Sequence, residues 1–552
     1  MAFLPIAERE LRLASRRKST HRIRVWTTLA GLVVSLFFML AFTVINRVTG
    51  RGTWNLGPIL FTLLTFYAYG LSLLAGVVLA ADCISEEKRE GTLGLLFLTD
   101  LKGYDVVFGK LAAVGLSALY GLVAVLPVTA LPLLMGGVTG GEFWRVSLAL
   151  INTLFFSLAT GILVSTRSRE NTGAMLGTLA ILLLAAVALP FLGAVLSVIR
   201  LPDSWWYFTA FSPFNPFRFG SEMRYPGSPS RYWYSLLSSH LVAWSMLVIA
   251  SWTLPRAWQD RPFRSRRVAF AGISIRASTD RAIACHARRS RMLDLNPIAW
   301  LSEKNSGLNS WVWILTAAGV IIPALILFVD RSVLTFAGIS YIFLILIFVL
   351  KIMVAFQACR FFAEARRSGA LEMIFSTPLT AEGILQGQWL AMRRLFLWPA
   401  VLIFALQFVL ALLTVDASTQ FVNAKIVTPA APPISLQNIL ASRWPILLMS
   451  AVSILYKTAK SVADIFAVGA VGMWFALSFK KPNLAVGMTI LFVLIIPGLL
   501  FCVPDLVIDL VFYLWASSKL KLELKRVAWR QTLVPLGVTG LTPVPLQPPV
   551  IR

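Results

Sequence analysis

Histidine is close to absent from this sequence: there are three in 552 residues, His21, His240 and His286. They stand too far apart for a zinc-ligand set, and no His-Glu-x-x-His or Ser-His-Asp arrangement accompanies them. The chain therefore offers no residues for metal-dependent or triad hydrolysis, and it does not read as an enzyme. Cysteine is nearly as scarce. Cys83, Cys285, Cys359 and Cys502 show no close pairing pattern, and three fall in segments expected to face the cytosol, so free thiols are expected. A phosphate-cradling loop needs G-x-x-x-x-G-K-[ST] after a strand. The nearest text is Gly109-Lys110, but Leu111 follows it and Gly103 lies one residue too far upstream. No cleavable signal peptide is expected, because a 25-residue stretch with seven Arg and Lys precedes the first apolar span. Charge is thin overall, at 14% against about 25% in a soluble domain.

What fills the space is apolar. Hydrophobic residues make up 58% of the chain, concentrated in runs such as Leu29–Ile45 and Ile59–Ala81. About 20 apolar residues cross the roughly 30 Å of a bilayer's hydrocarbon, so the chain reads as an all-α polytopic membrane protein. A β-barrel would show short alternating segments instead. Twelve spans are expected, at about Trp26–Asn46, Pro58–Ala81, Tyr104–Met135, Phe143–Thr166, Gly173–Ile199, Trp233–Leu254, Trp311–Val329, Phe336–Ala358, Leu395–Val415, Val462–Phe479, Leu484–Cys502 and Leu506–Ser517. Pro127 and Pro132 predict a break or kink near the outer end of the third. Residues 200–232, rich in Trp and Pro, and residues 416–460 read as the two outer segments. Residues 1–25 interleave basic and apolar positions and predict an amphipathic helix on the inner leaflet.

The net charge of +25 raises nucleic acid as a partner, but its distribution points elsewhere. Segments expected on the inner side hold 36 of the 50 Lys and Arg. That bias is the positive-inside pattern, and it puts both termini in the cytoplasm. The partner it implies is the lipid bilayer, with no nucleic acid. Of the polar residues in or near spans, Lys110 and Lys351 are expected to snorkel to the inner face. Asp464 and Lys460, at i and i−4, could form a local pair.

One stretch occurs twice. Ser85–Lys110, SEEKREGTLGLLFLTDLKGYDVVFGK, aligns without a gap on Ala363–Gln388, AEARRSGALEMIFSTPLTAEGILQGQ, at an offset of 278. Glu86 falls on Glu364, Lys88 on Arg366, Arg89 on Arg367, Gly91 on Gly369, Leu93 on Leu371, Thr99 on Thr377 and Gly109 on Gly387. Pro297-Ile298-Ala299 repeats Pro5-Ile6-Ala7, and Gly161 to Arg169 matches Gly472 to Lys480 in type. A repeat of this length implies two related units. They are residues 1–255 and 295–518, joined by a basic cytosolic linker, 256–294, and followed by a cytosolic tail, 519–552. Each unit would carry six spans, an amphipathic interfacial helix and one charged amphipathic segment at the inner surface.

The duplicated segment resembles the one that follows the second span in permease subunits of the ATP-binding-cassette type 2 family. The matching residues are Glu86, Glu87, Gly91, Thr92, Leu93, Thr99, Leu101, Gly109 and Lys110, then Glu364, Gly369, Leu371, Glu372, Thr377, Pro378, Leu379 and Gly387. Asp100 stands where the family's proline is expected, and Gln388 replaces the basic residue of Lys110. The resemblance implies a fused permease in the plasma (inner) membrane, exporting an unidentified substrate. It also implies two copies of a separate ATPase subunit that brings the ATP, since this chain has no phosphate loop. Residues implied in coupling to that ATPase are Glu86, Glu87, Arg89, Gly91, Thr92, Thr99, Glu364, Arg367, Gly369, Thr377 and Pro378. Two alternatives stand: a secondary transporter, which should carry buried charges or broken helices at mid-membrane, and a membrane scaffold that transmits ATPase motion without transport.

Overall fold

A computed structural model of the chain describes residues 18–49, 56–98, 101–168, 170–190, 193, 206–257, 290, 293–304, 308–329, 336–426, 436–479, 482–495, 497 and 505–533. Among these residues the protein is all-α, 90% helical with no strand. Seven helices are long and apolar enough to cross a membrane: Leu56–Arg89, Gly103–Met135, Gly140–Arg167, Pro229–Arg256, Phe343–Arg367, Ala381–Leu410 and Ala451–Ser478. Four shorter apolar helices accompany them, Thr27–Leu40, Gly173–Ala188, Leu308–Ile321 and Pro482–Ile495. By length and composition the chain is an integral membrane protein.

The first half runs α1 (Lys18–Thr49), α2 (Leu56–Ala75), a π-turn (Gly76–Ala80), α3 (Ser85–Arg89), α4 (Thr92–Leu98), α5 (Gly103–Met135), α6 (Gly140–Arg167) and α7 (Asn171–Leu183). The short helices α8 (Trp206–Thr209) and α9 (Phe214–Phe219) precede α10 (Pro229–Ala257). The second half runs α11 (Pro297–Lys304), α12 (Leu308–Val329), α13 (Phe336–Arg367), α14 (Ala370–Phe375), α15 (Ala381–Ile426), α16 (Leu436–Ser478), α17 (Pro482–Thr489) and α18 (Asp505–Leu533).

Helix α6 is the centre of the first half, buried along most of its length, whereas α5 and α10 leave most of their apolar surface exposed. Trp144, Val248 and Trp252 are among the outward side chains, as lipid contact requires. In lipid, helices gain little from hiding apolar surface from one another, so close backbone approach through small residues carries the packing. Gly161 in α6 is such a point: a Cβ there would lie 2.6 Å from the Gly76 carbonyl oxygen and 2.7 Å from the Ala80 Cβ. Gly472 in α16 meets Ala358 in the same way, at 3.1 Å. Ala358 lies 278 residues after Ala80, and Gly472 is the match of Gly161, so the same contact forms in both halves.

A buried polar network also joins α6 to α10. Asn152 Nδ2 donates to Ser239 Oγ at 2.8 Å, and the Asn152 side-chain oxygen lies 3.0 Å from His240 Nδ1. Trp244 Nε1 donates to His240 Nε2 at 3.0 Å. Because Nε2 accepts, the neutral ring must carry its proton on Nδ1 and give it to Asn152. Every member of the network is satisfied.

The structure refines three expectations. The third span, expected to break or kink near Pro127 and Pro132, does not break in two: α5 continues as one helix through both prolines. Of the expected outer segment 416–460, residues 416–426 and 436–460 are helical, as parts of α15 and α16. From Lys18 onward the basic N-terminal stretch is continuous with the first span, in the single helix α1; residues 1–17 lie outside the described residues. Cys83 and Cys359 are in no disulfide, while Cys285 and Cys502 lie outside the described residues. The linker 258–289 and residues 534–552 of the tail lie outside them too.

Candidate functional site

Both copies of the duplicated segment break at their glycine. Gly91 has φ of +72° and Gly369 of +70°, and these are among the four positive-φ glycines of the described residues. A Cβ at either would touch nothing within 4 Å, so the requirement is the left-handed backbone itself. The break ends the preceding helix and re-aims the chain into α4 or α14. The charged head therefore belongs to the end of the span, and only Thr92–Leu98 and Ala370–Phe375 form the short amphipathic helix. This corrects the expectation of one interfacial helix carrying both.

The faces repeat as well. Leu93 and Leu371 are buried, 2% and 5% exposed, while Leu95 and Met373 are 64% and 66% exposed. The same basic position anchors each copy to the span behind it. Lys88 Nζ donates to the Thr166 carbonyl in the last turn of α6, and Arg366 Nη1 donates to the Leu477 carbonyl in the last turn of α16. Those carbonyls have no partner within their own helices, and a cation there also faces the negative end of the helix dipole. Lys88 and Arg366 align in the sequence, but a side chain's reach to a carbonyl 78 residues away leaves no mark on it.

The copies differ where the backbone differs. In the first half the π-turn and the turn after it free the Ile84 and Ser85 amides, and Ser165 Oγ accepts both, at 3.0 and 2.9 Å. In the second half α13 runs unbroken, its own ladder uses the matching amides, and Ala476 stands in place of the serine. A second difference is paired. Lys110 Nζ lies 2.8 Å from Glu87 Oε1, largely buried, and Thr92 Oγ1 donates to the same carboxylate. The matching positions are Gln388 and Ala365, so both charges are lost together. Gln388 Nε2 instead donates to the Gln357 carbonyl at 3.2 Å. Lys110, from its place in α5, thus reaches the charged head of the duplicated segment.

The remaining expected residues divide into inward and outward groups. Arg89 turns inward, 2.8 Å from Asp82, which also accepts from Ser85 Oγ at 2.6 Å. Glu364 lies 3.6 Å from Arg360 on its own helix. Thr377 and Pro378 are exposed at the end of the second copy, and Thr377 Oγ1 donates to the Ile374 carbonyl at 2.6 Å. Thr99 lies outside the described residues. Glu86 and Arg367 meet across the halves at 3.8 Å, and Arg367 lies 2.8 Å from Glu90. The two copies thus touch, with Asn171 Nδ2 donating to Asn483 Oδ1 at 2.7 Å close by. A cleft of about 540 Å³ opens between them, lined by Arg89, Glu90, Phe356, Arg360, Glu364 and Arg367 among others. Glu90, Asp82 and Asn483 were not singled out from sequence: the first sits in the repeated charged head, and the others carry no motif.

No known family profile matches this chain, and no curated protein matches its sequence.

Proposed function

We propose that this protein is the membrane-spanning permease of an ATP-driven transporter resembling the ATP-binding-cassette type 2 family, and that it works as an exporter. In this reading residues 1–255 and 295–518 are two six-span units, and both termini are cytoplasmic. The two segments 85–98 and 363–378 receive two copies of a separate ATPase. ATP-driven approach of the ATPases moves both segments, and the units rock about the contact between them.

One observation carries the reading. The same exposed helix is built twice, with the same left-handed glycine, buried leucine and basic anchor on a span end, and both copies are presented on one face around a shared cleft. A passive connector has no need of this in duplicate. A photo-reactive residue at Leu95 or Met373, in cells carrying the full chain, should cross-link to an ATP-hydrolysing protein. Cross-linking to lipid alone would sink the reading, and vesicle transport by the purified assembly separates a transporter from a scaffold.

The alternative of a secondary transporter has one observation in its favour. Lys351 and Asp464 form an ion pair within the span region, both largely buried.

A further inference from the structure

Asp509 sits near the start of α18, within the apolar text Leu506-Val-Ile-Asp-Leu-Val-Phe, and is 1% exposed. Neither of its carboxyl oxygens has a hydrogen-bond partner. The group it faces within hydrogen-bonding reach is another carboxyl, that of Asp464 on α16. Asp464 is itself buried, and Lys351 Nζ on α13 holds it. Lys460, one turn from Asp464 on α16, acts on Asp509 at longer range without donating to either oxygen. Lys351, Lys460 and Asp464 are the charged groups that bear on Asp509 among the described residues.

Two facing carboxylates present acceptors only, so nothing bonds them unless a proton lies between. An ionised carboxylate without donors, in an apolar interior, costs several kcal/mol, and like charges sharing a site retain one proton. The matching helix pair in the first half, α6 and α10, meets through Asn152, Ser239, His240 and Trp244, where donors and acceptors are all matched. The corresponding pair in the second half, α16 and α18, carries the unpartnered Asp509 carboxyl instead.

We propose that Asp464 and Asp509 form a proton-binding site inside the second half, sharing one proton while Lys351 balances the remaining negative charge. Water supplies the proton, one carboxylate becomes a carboxylic acid that donates to the other, and no further reactant is needed. Release follows when α18 or Lys351 moves and the second carboxylate gains water or a new donor. The site stands whether or not ATP drives the protein.

The test is infrared spectroscopy of the full-length protein in lipid nanodiscs at neutral pH. The wild type minus Asp509→Asn difference should contain the carbonyl stretch of a protonated carboxylic acid, sensitive to deuterium exchange. Asp464→Asn should remove the same band, because Asp509 then ionises to pair with Lys351. Lys351→Met should keep or enlarge it. Asparagine is nearly isosteric with a protonated aspartic acid, so Asp509→Asn should express and melt like the wild type. If that variant fails to fold, dicyclohexylcarbodiimide, which attacks protonated carboxyls in apolar surroundings, should modify Asp509 in the wild type at neutral pH. No acid band in the wild type, an unchanged band in Asp509→Asn, or an unmodified Asp509 would each overturn the proposal.

Discussion

At the scale of single residues, the two repeated glycines act through φ alone. A side chain in the left-handed region costs about 1–2 kcal/mol, and neither site offers a clash to add to that. Gly91→Ala and Gly369→Ala should therefore lower thermal stability by similar amounts, each equivalent to about 1–2 kcal/mol. Unequal losses in a melt would mean that the two breaks differ in kind. The Glu87–Lys110 pair behaves differently, because burial couples its members. Glu87→Ala should destabilise by about 3 kcal/mol, by stripping a buried ammonium of its carboxylate. Adding Lys110→Gln recreates the Ala365/Gln388 combination of the second half and should recover much of the loss. A double-mutant cycle with no coupling would refute this. Glycine's role was legible from sequence, since it recurs in register and has a single backbone meaning. The pairing of Lys110 was not: a lysine near a span end reads as snorkelling, and only the turn of the preceding segment brings Glu87 to it.

Among elements, the contact of the second and fourth spans rests on Gly161, and its counterpart rests on Gly472. The clearances differ, 2.7 Å to a Cβ in one and 3.1 Å in the other. Gly161→Ala must push the helices apart, whereas Gly472→Ala asks a neighbour to yield slightly. The first should lower the melting temperature clearly more than the second, and equal shifts in matched melts would contradict the geometry. Spans were legible because apolar runs of membrane length have few other uses. The helical course of residues 416–426 and 436–450 was not. Once a helix leaves hydrocarbon it no longer needs an apolar sequence, so the text there reads as the end of a span although the backbone ladder continues.

For the whole molecule, Arg367 is the residue that ties one half to the other at the candidate site. Its partners Glu86 and Glu90 are solvent-exposed, and exposed pairs contribute about 0–1 kcal/mol. Arg367→Glu should leave thermal stability within about 1 kcal/mol of wild type while, under the function proposed above, changing the turnover of the associated ATPase. Reversing Glu90 to Arg in the same chain should restore part of the lost activity. A double variant no better than the single one would show that the contact between halves is incidental. Arg89, by contrast, is a poor probe of a partner surface, because its guanidinium is held by Asp82. The duplicated order of elements could be read from residues alone, but the meeting of the two copies could not. Nothing in a linear repeat says that its copies lie together.

The second half also carries a feature with practical weight. Helix α15 has 46 residues, about 69 Å at 1.5 Å per residue, against about 45 Å for a bilayer with its headgroups. It starts within the duplicated segment, and its length exceeds the bilayer's by about 24 Å. Among the described residues the longest unbroken helix of the first half, α5, has 33 residues. Seen edge-on in a nanodisc, a helix of that length would serve as a built-in fiducial, one that lets an image-alignment procedure tell the second half from the first.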